Sequence, residues 1–188
     1  MKKNLTNLFI YLCFAAFCVP ANSQNQSKID TRWKVISNND SFVILRMEIK
    51  SEKSGELLRD ANFMFDYDNT RISFADEKDG GKTDTDFFWR PGFNPNDSTY
   101  NTVTRIKTNV LSINIHAESF AGVPLTTDTG FLSIIDIKFR KKSKPINAKL
   151  NWLMKITADK SFENVFDNHF NPFQEGEGWT EPFVLRPE

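Results

Sequence analysis

Side chains alternate between apolar and polar along most of this chain, and that period of two constrains the fold more than any other feature. In SFVILRMEIK (41–50), Val43, Leu45, Met47 and Ile49 fall on one face, while Arg46, Glu48 and Lys50 fall on the other. Successive side chains of a strand point to opposite sides of a sheet, so this segment reads as a strand with one face buried. DANFMFDYDNTRISF (60–74) repeats the pattern, with Ala61, Phe63, Phe65 and Tyr67 on one side and Asn62, Met64 and Asp66 on the other. Further strands are expected at 71–74, 102–107, 110–116, 130–140, 148–154 and 182–186. In the 130–140 segment Phe131, Ile135, Ile137 and Phe139 are expected on one side. Sustained helical periodicity is absent before residue 158, and the single helical turn expected lies near Ser161 to Phe166.

Short strands separated by turn-rich gaps, with no alternation of strands and helices, predict an all-β protein. The expected architecture is an antiparallel β-sandwich of the jelly-roll or immunoglobulin-like kind, with about nine strands. Its expected core holds Phe63, Phe65, Ile72, Leu111, Ile113, Ile115, Ile135, Ile137, Phe139 and Leu150.

The N-terminus predicts export. Lys2 and Lys3 precede the apolar run Leu8–Val19, followed by Pro20 and the small-residue stretch Ala21-Asn22-Ser23, the layout of a signal peptide cleaved after Ser23. That run falls well short of the ~20 apolar residues a membrane-spanning helix needs, and no later stretch comes closer. A lipoprotein reading would acylate Cys18, but the bulky Phe17 before it fits such a site poorly. Residues 24–31 are expected to be a disordered lead, and 32–188 a single domain. Both cysteines, Cys13 and Cys18, lie in the signal, so no disulfide is expected in the exported chain, which must fold on its core alone.

Charge narrows the partner. Of the 24 basic residues, Lys2 and Lys3 leave with the signal, so 22 face 24 acidic ones, a net charge of about −2. Nucleic acid and anionic membranes both favour a basic surface, so neither is the expected partner. A secreted or cell-surface protein, or a polysaccharide, is.

Two connections are long for a sandwich, 75–101 and 158–179, and both are rich in aromatic residues, which argues against disorder. In the first, Phe87-Phe88-Trp89 precedes Arg90-Pro91-Gly92-Phe93. Exposed, Phe88, Trp89, Arg90, Phe93 and Tyr100 would form a carbohydrate or partner-binding platform, with flat rings stacking on sugars. The competing reading is that Phe87 and Trp89 share one side of a strand and belong to the core. Asp76, Asp79, Asp84 and Asp86, around Gly80 and Gly81, are the candidate ligands of a structural Ca²⁺, a cation that prefers six to eight oxygen donors; the alternative is a solvated acidic loop. No other cofactor is expected. The acidic turn Asp66, Asp68, Asn69 matches no EF-hand spacing, and Asp and Asn favour turns by bonding their own backbone, so it reads as a sandwich corner.

For catalysis little is on offer. His116 and His169 are far apart in sequence, and no nucleophile elbow, zinc-binding or phosphate-loop motif occurs. Carboxylate pairs suited to glycoside hydrolysis need only proximity in space and cannot be read from one sequence. The expectation is a non-catalytic module.

ANFMFDYDNTRISF resembles the part of cohesin domains where a strand with inward aromatics passes through a Tyr-Asp turn, here Tyr67-Asp68, into a strand with a buried aliphatic, here Ile72. LSINIHAESF (111–120) and TTDTGFLSIIDIKFR (126–140) follow in the order such domains show, and the resemblance spans roughly residues 32–152. It implies the cohesin and carbohydrate-binding-module superfamily: a nine-stranded jelly roll, secreted and non-catalytic, working by adhesion. Cohesins recognise dockerin modules across one sheet face, and related modules hold polysaccharides on exposed aromatics. This chain departs from that pattern in lacking the glycine-containing lead-in strand, in standing as a lone domain, and in the segment that follows Trp152.

Overall fold

A computed structural model describes residues 26–74, 86–93, 100–118, 122–125, 130–142, 147–156, 158–167 and 169–186. They form strands β1 (Lys28–Asn38), β2 (Phe42–Ser51), β3 (Glu56–Tyr67), β4 (Ile72–Ser73), β5 (Phe87–Trp89), β6 (Tyr100–Lys107), β7 (Val110–Ala117), β8 (Val123–Leu125), β9 (Leu132–Lys141), β10 (Ala148–Trp152), β11 (Ser161–Asp167), β12 (Pro172–Glu175) and β13 (Phe183–Leu185). No helix occurs among the described residues, as the alternation predicts.

Two layers face each other. In one, β1 pairs with β2 and β2 with β9, and β9 carries β4 and β5 on its far edge. In the other, β3 pairs on one edge with β7 and β8 and on the other with β10 and β11, while β6 pairs with β7 and β13 with β10. The β11–β12 hairpin links the layers, because β12 lies parallel to β1 at Lys28 and Ile29. All ten residues expected in the core are buried there. Aromatic contacts cross from layer to layer: Trp33 of β1 meets Phe65 of β3 edge-on at 4.9 Å, and Tyr67 of β3 meets Phe139 of β9 at 5.8 Å. Burying such side chains is worth about 1.5–3 kcal/mol each before entropy is counted.

Three expectations are corrected. Residues 28–31 are not a disordered lead: they open β1, with Ile29 fully buried. Residues 161–167 are a strand, not a helical turn. Val165 pairs with Ala61 of β3 and Phe166 with Asp60, and a register shift follows Phe166. Phe131 does not share a side with Ile135. Met47 pairs with Ile135 but Glu48 with Ser133, so a bulge at Ile134 turns Phe131 outward, where its ring lies 4.0 Å from the Arg32 guanidinium carbon.

The residues after Trp152 complete the core. Trp179 is buried, stacks on Phe63 at 5.9 Å and contacts Trp152 at 4.8 Å and Phe162 at 4.9 Å.

Candidate functional site

The outer face of the β3 layer is built by the same alternation that fills the core. Inward Ala61, Phe63 and Phe65 leave Asp60, Asn62, Met64 and Asp66 outward. On β7, inward Leu111, Ile113 and Ile115 leave Val110, Ser112, Asn114 and His116 outward. Register sets these side by side: Asp60 opposite His116, Asn62 opposite Asn114, Met64 opposite Ser112, and Asp66 opposite Val110. β6 extends the rows with Asn101, Val103, Arg105 and Lys107. β10 adds Asn151 opposite Asp66, and the amide of Leu153 donates to the Met64 carbonyl at 2.8 Å.

Hydrogen bonds pre-orient the polar side chains of this face. Ser112 donates to Asn62 Oδ1 at 2.8 Å, and Asn114 Nδ2 donates to Ser112 Oγ at 3.0 Å. Asn151 Nδ2 donates to Asp66 Oδ1 at 2.6 Å, and His116 Nδ1 lies 2.6 Å from Asp60 Oδ1. Apolar surface is interleaved: Leu153 is 43% exposed, and Met64, Val103 and Phe166 are half-buried. The face thus combines ordered amides and hydroxyls with exposed apolar side chains and few charges at its centre.

The opposite outer face is chemically different. Arg46 donates to both carboxylate oxygens of Asp136, at 2.6 and 2.8 Å, and Arg90 approaches the same carboxylate at 3.5 Å. The hydrogen bond to Asp136 raises the Arg46 pKa above its ordinary value, against a smaller opposing effect of burial. Arg32 donates to Glu48 at 2.7 Å, and Ser133 donates to the other oxygen of Glu48 at 3.1 Å.

The aromatic platform is broken up. Phe88 is 46% exposed, but Phe93 is 0% exposed and belongs to the core, and Trp89 is partly buried against it. The reason is local: β5 turns Phe87 and Trp89 inward against β9, then a turn closed by Phe93 N–H to Arg90 C=O at 2.9 Å, with Gly92 at φ 90°, folds Phe93 under. Arg90 is held by Asp136. Tyr100 opens β6 opposite Ala117.

Of the four acids proposed for Ca²⁺, Asp76, Asp79 and Asp84 lie outside the described residues. Asp86 is buried, and its carbonyl accepts the Lys138 amide at 2.8 Å. Among the described residues no group of three or more His, Cys, Asp or Glu side chains is placed to hold a metal ion. The acidic turn is the corner that its residues predict: Asp68 Oδ1 accepts Thr70 N at 3.0 Å, and the Asp68 carbonyl accepts the amides of Arg71 and Ile72. Sequence reasoning missed the Asn62, Ser112 and Asn114 ladder; the outward polar positions of two alternating strands were visible, but their pairing was not.

No protein-family model and no curated protein matches the sequence. Solved structures do match by fold. A type I cohesin–dockerin complex from Clostridium thermocellum contains a chain that superposes with a TM-score of 0.59 at 11% identity, covering 85% of this chain and 98% of that one. The sixth cohesin of scaffoldin B from Acetivibrio cellulolyticus, solved with a dockerin, gives 0.56 at 15% identity over 87% and 98%. The seventh ScaB type I cohesin from Pseudobacteroides cellulosolvens gives 0.57 at 10% identity over 85% and 91%. At these identities the likeness concerns the fold. This chain folds as a cohesin-like β-sandwich.

Proposed function

We propose that this chain is an exported, non-catalytic binding module that docks a folded protein partner across the outer face of β10, β3, β7 and β6. The observation that carries the reading is the Asn62–Ser112–Asn114 ladder beside Met64 and Leu153, a pre-ordered surface in which apolar and amide groups alternate. Side chains ordered before binding lose less entropy on association, so such a surface favours affinity. Two structures with this fold, from Clostridium thermocellum and Acetivibrio cellulolyticus, contain dockerins, which supports a protein as the class of partner. Polysaccharide binding on the 87–93 segment is the weaker reading, because Phe93 and Trp89 turn inward. Export rests on the Lys2-Lys3 and Leu8–Val19 pattern.

The test is affinity capture from the source organism's surface and secreted fraction, with the chain and its Met64→Arg variant as baits. The reading expects a protein retained by the first and lost by the second. Repeated failure to recover a specific protein, or equal retention by both baits, contradicts it.

A further inference from the structure

The other outer face carries a one-sided charge that binding across β3 and β7 does not use. On β9 the outward positions after Asp136 are Lys138 and Arg140, and Lys142 follows at the strand's end. Asp136 is already held by Arg46 and Arg90. Lys34 lies beside Arg46 in register, and Lys141 and Arg71 meet at the β4 corner, where Lys142 N–H donates to the Arg71 carbonyl at 2.8 Å. Among the described residues Lys34, Lys138 and Arg140 join no ion pair. Among the described residues the acidic side chains at this end are Asp40 and Asp68, both on turns, and Asp68 is engaged by Thr70.

Apolar surface lies between these cations. Phe42 sits opposite Arg140 with Lys138 Nζ 4.7 Å above its ring, and Ile44 sits opposite Lys138. The bulged Ile36 is exposed on the neighbouring strand, and Phe88 is exposed beside Asp136. The exported chain as a whole is slightly acidic, so the cations of β9 are not a reflection of overall charge. The column of β7 on the opposite face, Val110, Ser112, Asn114 and His116, contains no Lys or Arg.

The geometry points to a second docking surface on β1, β2 and β9 for an extended acidic polypeptide segment of a partner protein, with carboxylates at alternate positions. Lys138 and Arg140 are spaced two residues apart on β9, a pitch of about 6.6 Å, and Lys142 lies just past the strand with its Nζ donating to the Asn69 carbonyl at 2.7 Å. An extended peptide presents alternate side chains at that same pitch, so each carboxylate meets one cation, while the intervening surface of Phe42 and Ile44 receives its stem. Arg140 offers a planar fork suited to a carboxylate, and Lys138 offers a point charge. The match of pitch distinguishes a polypeptide from other polyanions, and this face is separate from the one assigned above to the folded partner.

The test uses the full exported chain and three labelled probes: a peptide alternating Glu and Thr, a peptide of the same composition with its glutamates in one block, and polygalacturonate. The alternating peptide is expected to bind most tightly and to lose most of its affinity between about 0.05 M and about 0.5 M salt. Lys138→Glu with Arg140→Glu should weaken it at least about tenfold by replacing attraction with repulsion. Arg105→Glu with Lys107→Glu, on the other face, should leave it unchanged, and so should Met64→Arg. No binding of the alternating peptide, equal or tighter binding of the blocked peptide or polygalacturonate, or an equal loss in the Arg105/Lys107 variant overturns the proposal. These outcomes do not depend on whether a folded partner docks on β3 and β7.

Discussion

Trp179 donates its indole N–H to the carbonyl of Ile29 at 2.6 Å, tying the segment after β12 to the first strand of the sandwich. Around this bond Glu177 N–H donates to Asp30 Oδ1 at 2.8 Å, and Thr31 N–H donates to the Glu177 carbonyl at 2.9 Å. The residues beyond the span that resembles cohesins are therefore part of the fold. Trp179→Ala should destabilise the protein by about 3–5 kcal/mol, read as a drop in the midpoint of denaturant unfolding. Trp179→Phe keeps the ring packing but removes one of two donors to the Ile29 carbonyl, which still accepts the Gly176 amide at 3.0 Å, and should cost about 0.5–1.5 kcal/mol.

Gly178 makes that close approach possible. It adopts φ 86°, and a Cβ there would strike the Thr31 carbonyl oxygen. Gly178→Ala should therefore destabilise by more than the roughly 1 kcal/mol that a strained backbone alone costs, whereas Gly55→Ala, at φ 81° with open space around it, should show the backbone cost only. Thermal unfolding of the two variants side by side separates strain from collision.

Phe88 and Phe93 should behave in opposite ways. Phe93 is fully buried, so Phe93→Ala should cost about 3–5 kcal/mol. Phe88 projects from the sheet, and Phe88→Ala should change stability by no more than about 0.5 kcal/mol. Chemical denaturation of both variants checks the pair.

Asp136 holds two guanidinium groups at a largely buried position. Asp136→Ala leaves Arg46 with neither of its carboxylate bonds and should cost about 3–5 kcal/mol. Lys28→Ala removes a pair at 3.8 Å between two half-exposed side chains and should cost less than about 1 kcal/mol.

Much of the fold is legible in the sequence because alternation is local. Phe63, Phe65 and Tyr67 announce their side of β3, and Leu111, Ile113 and Ile115 theirs of β7, without knowledge of any neighbour. Phe131 was misassigned because a bulge is set by pairing with β2, and nothing within TTDTGFLSIIDIKFR marks where the register slips. The helical turn expected near Ser161 to Phe166 is a strand because Phe162 bridges to Ile156 and Val165 pairs with Ala61 of β3, contacts that no local pattern announces. The proposed docking face was the least legible part. Asn62 and Ser112 are separated by 50 residues in sequence, and only strand register brings them to 2.8 Å. The aromatic cluster at 87–93 stays open between platform and core in the sequence, since composition records rings but not the Gly92 turn that folds Phe93 inward.

The most direct measurement is the affinity of the captured partner for residues 24–188 and for their Met64→Arg variant, with unfolding midpoints recorded on both. Met64 lies at the centre of the β10–β3–β7–β6 face, between Leu153 and Ser112, and its replacement by a longer charged side chain disturbs no core position. The account predicts a loss of at least about 30-fold, the effect of removing one central anchor of an interface, with the unfolding midpoint unchanged. Equal affinities in two equally stable proteins would contradict it and place the partner elsewhere on the molecule.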